Sequence, residues 1–252
     1  MNGIDVYAQI LGKGLENVND TAALTFESEG EVLVTETRAK QIELPPHLDF
    51  KYREKPVYNF FKRIFDILLS AFALIVLSPV LLVCIAAIFI KDPGNPFFEQ
   101  DRVGKNGKFF KIYKLRSMYK DAEAHKAELI ESNECNGAVF KIRNDPRILG
   151  KVGNFIRKSS IDELPQLVNI LKGDMSIIGP RPFVPDEQER MTSDRLLVKP
   201  GLSCYWQING KNALSAEMSD YYDRKYIMDR SLITDAAIIL KTVGIVLKSS
   251  NS

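Results

Sequence analysis

Hydrophobic residues are gathered in one place in this chain: from Ile67 to Ile90 there is no charged residue, whereas the rest alternates in short amphipathic pieces. A membrane-spanning helix needs about 20 apolar residues, so this run is long enough to enter a bilayer. Ser78-Pro79 stands at its centre. Proline lacks a backbone donor and clashes with the carbonyl four residues back, which predicts a bend or break at Ser78 and Pro79. Lys51, Arg53, Lys55, Lys62 and Arg63 precede the run, and Lys91, Arg102, Lys105, Lys108, Lys111, Lys114 and Arg116 follow it. Lysine and arginine beside a membrane segment mark the cytoplasmic side. Because both flanks carry the mark, the economical reading is a re-entrant helix that enters the inner leaflet, breaks at Ser78-Pro79 and returns to the same face. A kinked full span and a buried core helix are the alternatives.

Elsewhere the pattern predicts short elements. Val57 to Asp66, aromatic and basic, suits a helix at the headgroup level before the insertion. Asp92-Pro93-Gly94-Asn95-Pro96 is a turn cluster. Phe97 to Val103 and Phe109 to Leu115 read as strands joined through Gly104-Lys105-Asn106-Gly107 into a hairpin. Helices are expected over Asp121 to Ser132, Leu164 to Leu171 (stopped by Gly173), Asp186 to Leu197 and Ser215 to Asp229, and a brief strand over Ser176 to Ile178. Arg147 to Arg157 is short and mixed. Leu232 to Leu247 is apolar but interrupted by Asp235, Lys241 and Thr242, as in an interfacial or packing helix. Together these give an α+β fold: residues 1–55 an acidic extension and linker, 56–92 the membrane-associated re-entrant helix, and 93–252 a mostly helical cytoplasmic catalytic domain with a β-hairpin and C-terminal amphipathic helices.

Charge refines this division. Net charge is +2, but residues 1–50 are acidic, so the basic excess lies beside the apolar run, as suits a surface held against anionic lipid. A short strand over Val32 to Thr35 is the only element suggested in that extension. Without an aromatic-basic RNA motif or zinc-finger spacing, the basic clusters do not indicate nucleic acid. Cys84, Cys135 and Cys204 are widely spaced and odd in number, which suits a reducing cytoplasm, and His47 and His125 alone make a histidine-built zinc site improbable. The apolar run begins too far along the chain for a cleaved signal peptide.

Candidate chemistry is concentrated between Asn144 and Pro182. Asp162 and Glu163 are adjacent carboxylates, with Arg147, Arg157 and Arg181 near in sequence. A carboxylate can act as nucleophile or Mg²⁺ ligand, and arginines hold phosphate oxygens. A structural reading competes: Ser160 with Glu163 three residues on is a capping box, and Asp162 in a first turn favours the helix dipole. Pro165 would remove a bond from a helix begun at Ser160, so the turn is irregular or the helix starts later. Gly179-Pro180-Arg181-Pro182 is either a surface turn or a rigid loop that fixes one guanidinium. Asn144-Asp145-Pro146-Arg147 is by itself an ordinary turn. Lys111, Lys114 and Arg116 suit a solvated strand face as well as a phosphate site. Tyr221, Tyr222 and Tyr226 are simplest as packing residues. Trp206 stays unassigned.

Taken in order, Lys62-Arg63-Ile64-Phe65-Asp66, Ser78-Pro79, Lys114-Leu115-Arg116-Ser117-Met118, Asp162-Glu163, Gly179-Pro180-Arg181-Pro182 and Lys199-Pro200-Gly201-Leu202 resemble the bacterial sugar transferase family of monotopic polyprenyl-phosphate phosphoglycosyl transferases. The likeness runs from about Phe61 to Lys248. It implies a two-step reaction at the cytoplasmic face of the cytoplasmic (inner) membrane. Asp162 would attack the β-phosphate of a UDP-hexose and expel UMP, and undecaprenyl phosphate would then take the phosphosugar. Glu163 is the implied dyad partner, Mg²⁺ the cofactor with Asp162 as a ligand, and Lys114, Arg116, Arg147, Arg157 and Arg181 the substrate contacts. The C-terminal strings resemble members that start capsule, O-antigen or exopolysaccharide units. A homodimer is a further expectation, and a non-catalytic scaffold of a polysaccharide assembly machine is the alternative function. Cys204 departs from the glycine of many relatives, and residues 1–50 replace the multi-span extension of larger ones.

Overall fold

A computed structural model describes residues 48–122, 124, 125, 142, 145–209 and 215–249. The suggested strand at Val32 to Thr35 and most of the expected helix from Asp121 to Ser132 lie outside the described residues; Asp121 and Ala122 form a turn.

Helix α1 (Pro56–Lys91) carries the whole apolar run without interruption. The helix is therefore not broken at Ser78-Pro79, where the sequence predicts a bend or break; Pro79 lies inside it, and the local bonding shows how it is accommodated. Pro79 cannot donate to the carbonyl four residues back, that of Ile75. Ser78 Oγ donates to that same carbonyl at 2.8 Å. The serine supplies the donor that the proline lacks, so no backbone acceptor is orphaned in the apolar stretch. Asp66, Ser70, Cys84 and Ile88 are the buried residues of α1 and fall on one face. Val57, Phe72, Ile75, Val83 and Ile90 are exposed, the last at 80%. An apolar surface this extensive excludes the buried core helix.

Strands β1 (Phe97–Val103) and β2 (Phe109–Leu115) form the expected hairpin, antiparallel with Phe97 opposite Leu115 and Val103 opposite Phe109. Asn106 turns the chain with φ 58, a left-handed conformation that asparagine tolerates. After a turn comes α2 (Gly150–Lys158), then a 3₁₀ turn Ile161–Glu163 and α3 (Gln166–Lys172). Gly173 ends α3 at φ 96, the conformation a C-terminal glycine supplies. Strand β3 (Ser176–Ile178) pairs in parallel with β4 (Gly201–Ser203).

Between β3 and β4, the helix expected over Asp186 to Leu197 is instead a short α4 (Pro185–Gln188) and a 3₁₀ segment Ser193–Leu197. Thr192 lies between them with its hydroxyl on the Asp220 carboxylate, and Gln188 Nε2 donates to Thr192 O at 3.3 Å. Side-chain bonds of this kind compete with a continuous helix. A four-residue α5 (Tyr205–Ile208) follows β4. Helix α6 (Ala216–Asp229) is capped by Ser215, whose side chain accepts from Met218 N, and α7 (Leu232–Ser249) closes the chain.

Three small cores hold these pieces. Cys84 and Ile88 of α1 pack with Leu115, Leu149 and Ile156. Ala73 and Leu74 border Ile112, Leu167, Ile170 and Met175. Ile178, Tyr226, Ile227 and Ile238 join β3, α6 and α7. Both halves of α1 therefore pack on one body. The N-terminal half adds polar ties: Arg63 donates to the Ile170 and Leu171 carbonyls at 2.6 and 2.8 Å. Asp66 accepts from Ile177 N at 3.0 Å, and Lys62 meets Asp235 of α7 at 2.7 Å. The β3–β4 pair explains the glycine of Lys199-Pro200-Gly201-Leu202. A Cβ on Gly201 would lie 2.0 Å from Gly179 N, so only glycine lets the two backbones meet there.

Candidate active site

The dyad sits on the 3₁₀ turn between α2 and α3. Ser160 enters it at φ 57, an uncommon conformation for a residue with a side chain. The capping-box reading is not realised. Ser160 makes no side-chain cap bond, and α3 begins only after Pro165. Glu163 turns instead to Lys114 of β2, with Nζ to Oε1 at 2.9 Å. A buried amide fixes that strand against α3: Asn169 accepts from Tyr113 N at 3.0 Å and donates to Lys111 O at 2.7 Å. Lys114 is thereby held at the dyad, while Lys111 remains on the solvated face, 3.9 Å from Glu99.

Burial pushes the Asp162 carboxyl up to about 6, against the pull of nearby Lys114. The Glu163 charge raises it further, and Arg157 lowers it. A carboxylate in this setting is weakly solvated, which favours reaction over bonding to water.

Arg181 meets Lys114 and Glu163 in one polar cleft with Arg102, Gln166 and Gln207. Its guanidinium lies 5.2 Å from the centre of the Trp206 ring, which gives that tryptophan a role. Arg195 clamps the loop from behind. It donates to Arg181 O at 2.7 Å, stacks on Phe183 and pairs with Asp223 at 2.7 Å in full burial. Arg102 donates to Pro182 O at 3.1 Å, and burial with the neighbouring Arg181 charge pushes it down to about 10. The Nε atoms of Arg102 and Arg181 are buried without a hydrogen-bond partner. Arg102 is otherwise committed, to Pro182 O, Gln100 Oε1 and the Glu187 carboxylate, so Arg181 is the guanidinium of the cleft that suits a polyanion.

Arg116 and Arg147 are held elsewhere. Arg116 pairs with the Asp92 carboxylate at 3.0 Å and donates to the Asp92 carbonyl, which fastens the end of α1. Arg147 grips Asp145 with two guanidinium nitrogens at 2.9 and 2.7 Å and holds its carboxyl below the usual range. The structure thus gathers Lys114, Arg157, Asp162 and Glu163 electrostatically, and Arg181 joins Lys114 and Glu163 in the cleft. Sequence reasoning missed Arg102, Gln166, Asn169, Arg195 and Gln207. Arg102 was visible only as a flanking charge, and Gln207 stood beside the unassigned Trp206.

Comparison with known proteins now decides the family. The model described as "Bacterial sugar transferase" matches residues 57–249. The chain belongs to the bacterial sugar transferase family. Among members of this family it is 43% identical over 197 residues to the undecaprenyl-phosphate galactose phosphotransferase of Salmonella typhimurium, covering 75% of this chain and 41% of that protein. To the galactosyl transferase CpsE of Streptococcus agalactiae serotype III it is 47% identical over 181 residues, covering 66% and 39%. To the exopolysaccharide production protein ExoY of Sinorhizobium fredii it is 38% identical over 205 residues, covering 79% and 90%. The chain thus spans about two fifths of the length of the first two relatives and most of the third.

The raised Asp162 pKa has a stability consequence of definite sign. The unfolded carboxyl ionises near 3.9. Stability from this group is therefore fullest below about pH 4 and falls as pH rises toward the folded value of about 6. Above that, the ionised group is held at a cost on the order of 1–3 kcal/mol. Asp162→Asn is expected to raise Tm at neutral pH and to flatten the stability profile between about pH 4 and 6. Thermal unfolding of both proteins across that range is the check, and an unchanged or lowered Tm at neutral pH contradicts it.

Proposed function

We propose that this chain is a phosphoglycosyl transferase that moves a hexose-1-phosphate from a UDP-hexose to undecaprenyl phosphate, starting a capsule, O-antigen or exopolysaccharide unit. The observation that carries the reading is a desolvated Asp162 beside Lys114, next to a cleft that holds the Arg181 guanidinium against Trp206. The named activities of the relatives support the reaction class.

In the first step an Asp162 oxygen attacks the β-phosphorus of the UDP-hexose. An aspartyl O–P bond forms, the bridging P–O bond breaks, and UMP leaves with the electron pair. In the second step a phosphate oxygen of undecaprenyl phosphate attacks the same phosphorus and displaces the Asp162 carboxylate, giving undecaprenyl diphosphosugar. Lys114 holds Glu163 and offsets negative charge at the dyad, while Arg181 receives diphosphate oxygens with the Arg102 charge behind it. Arg157 supplies a further positive charge beside Asp162.

The donor set fits Mg²⁺ in a limited way. Among the described residues no group of three or more His, Cys, Asp or Glu gathers, so a closed cage is not offered. Magnesium is commonly held by one or two carboxylates together with substrate phosphates. Asp162 and Glu163 are the carboxylates that would hold it, and when bound it would neutralise the diphosphate.

The chemistry takes place on the cytoplasmic face, with α1 re-entrant in the inner leaflet through a bend at Pro79 within the unbroken helix. That topology is supported by the packing of both halves of α1 on one body and by the basic residues at both ends. Cysteines placed at Asn59 and Asn95, with Cys135 replaced, are expected to label from the same side of sealed vesicles; labelling from opposite sides contradicts the re-entrant reading.

Purified protein with UDP-hexose, Mg²⁺ and undecaprenyl phosphate is expected to release UMP. Asp162→Asn should lower that rate by about three orders of magnitude or more, because an amide is a poor nucleophile toward phosphorus, with no loss of fold. UDP as the released nucleotide, substantial turnover in the asparagine variant, or no turnover in the unaltered protein would overturn the assignment.

A further inference from the structure

Beside the dyad lies a second cavity, of about 220 Å³, whose character is opposite to that of the polar cleft. Leu202 of β4 and Ile239, Val243 and Ile245 of α7 line it, with Glu163 and Gln207 also in its wall. Glu163, Leu202 and Gln207 belong to both spaces, so the apolar groove and the polar cleft meet at Glu163, the neighbour of Asp162. Among the hydroxyls that border the groove, Ser159 Oγ donates to Phe155 O at 2.7 Å, Ser203 Oγ and Thr242 Oγ1 lie 2.6 Å apart, and Thr242 Oγ1 also donates to Ile238 O at 2.8 Å. Its one charged lining residue is the anionic Glu163. A nucleobase needs hydrogen-bond partners, and a diphosphate needs cations. The groove offers no cation, and its one amide, Gln207, lies where it meets the polar cleft. An unsaturated hydrocarbon chain needs only apolar walls.

Helix α7 connects the groove to a wider apolar surface. It forms the groove wall with Ile239 and Val243, yet Ile233, Leu240 and Val243 are exposed at 84%, 74% and 51%. A hydrocarbon held here can pass from the exposed apolar face of α7 to the carboxylate without crossing the cationic cleft. We propose that the groove holds the phosphate-proximal isoprene units of the polyprenyl acceptor, delivering its phosphate to Asp162 from the apolar side while the UDP-hexose enters through the polar cleft. This rests on the reaction proposed above and adds where each substrate lies. It gives the nucleotide and the lipid separate routes, so the acceptor phosphate can take the place that UMP vacates, opposite the aspartyl oxygen.

The test uses the full chain in lipid nanodiscs, with Val243→Glu and Ile239→Trp. Val243 is half exposed, so its variant is expected to fold, and the tryptophan occupies groove volume without adding charge. Lys241→Gln, at an exposed polar position outside both the groove lining and the apolar face, controls for general damage to α7. Two rates are read: the UMP burst with UDP-hexose alone, and transfer to undecaprenyl phosphate. Both groove variants are expected to keep the burst within about twofold and to raise the acceptor KM about tenfold or more, a change of about 1.4 kcal/mol. Lys241→Gln should leave that KM unchanged, and a short, water-soluble isoprenyl phosphate, which still fills the groove, should show the same loss in both groove variants.

An unchanged acceptor KM in both groove variants overturns the proposal. So does a loss confined to the UMP burst, which would assign the groove to the nucleotide. A separate arm keeps the site testable if the unaltered chain releases no UMP, which would fail the reaction reading alone. A photoreactive polyprenyl phosphate is expected to label the chain between Ile239 and Val246. Labelling confined to other segments, or labelling undiminished by Ile239→Trp, overturns the groove.

Discussion

The structure depends on how α1 is fastened to the body that carries the dyad. Arg63 donates to the last carbonyls of α3, and Asp66 accepts from the backbone of β3. The C-terminal carbonyls of a helix have no partner of their own, and an unsatisfied buried polar group costs about 1–3 kcal/mol. Two side chains of an otherwise apolar helix thus complete the backbone bonding of the two elements that follow the dyad turn. Lys62 does the same for α7 through Asp235. The string Lys62-Arg63-Ile64-Phe65-Asp66 is therefore an attachment device. The position of α1 is coupled to the site through it.

At the site itself, local strain and burial oppose stability in favour of chemistry. Ser160 is left-handed without glycine, and Asp162 is desolvated beside a second carboxylate. Surrounding contacts hold both in place. Asn169 fixes β2, Lys114 fixes Glu163, and the Arg195–Asp223 pair fixes the loop that carries Arg181. Buried ion pairs contribute little net stability once desolvation is counted, but they specify geometry strongly. That is consistent with their placement around a loop whose own side chain is left free to receive an anion.

Elements coded by local signals were legible in the sequence. The hairpin strands Phe97–Val103 and Phe109–Leu115 have the expected bounds, because alternation and the Asn-Gly turn specify them without outside help. Gly173 and Ser215 end and begin helices as their chemistry dictates. Features that rest on distant partners were not legible. The parallel β3–β4 pair is set by the close approach of Gly179 and Gly201. The division of the segment after Pro185 is set by Asp220 and Asp223, and the continuity of α1 by one serine hydroxyl. The dyad stood out by composition, but proximity in sequence overstated Arg147, and Arg116 is committed to Asp92. Which cations reach the cleft is decided by strand pairing and loop clamping, and neither is written in any short window.

The central claim is that Asp162 bonds to phosphorus, and intact-protein mass spectrometry tests it most directly. Protein mixed with UDP-hexose and Mg²⁺, without lipid acceptor, and quenched in acid should gain the mass of a hexose phosphate. Peptide mapping should place the addition on Asp162, and adding undecaprenyl phosphate before the quench should remove it. An adduct on Glu163, or UMP release with no adduct at any residue under rapid quench, would contradict the account.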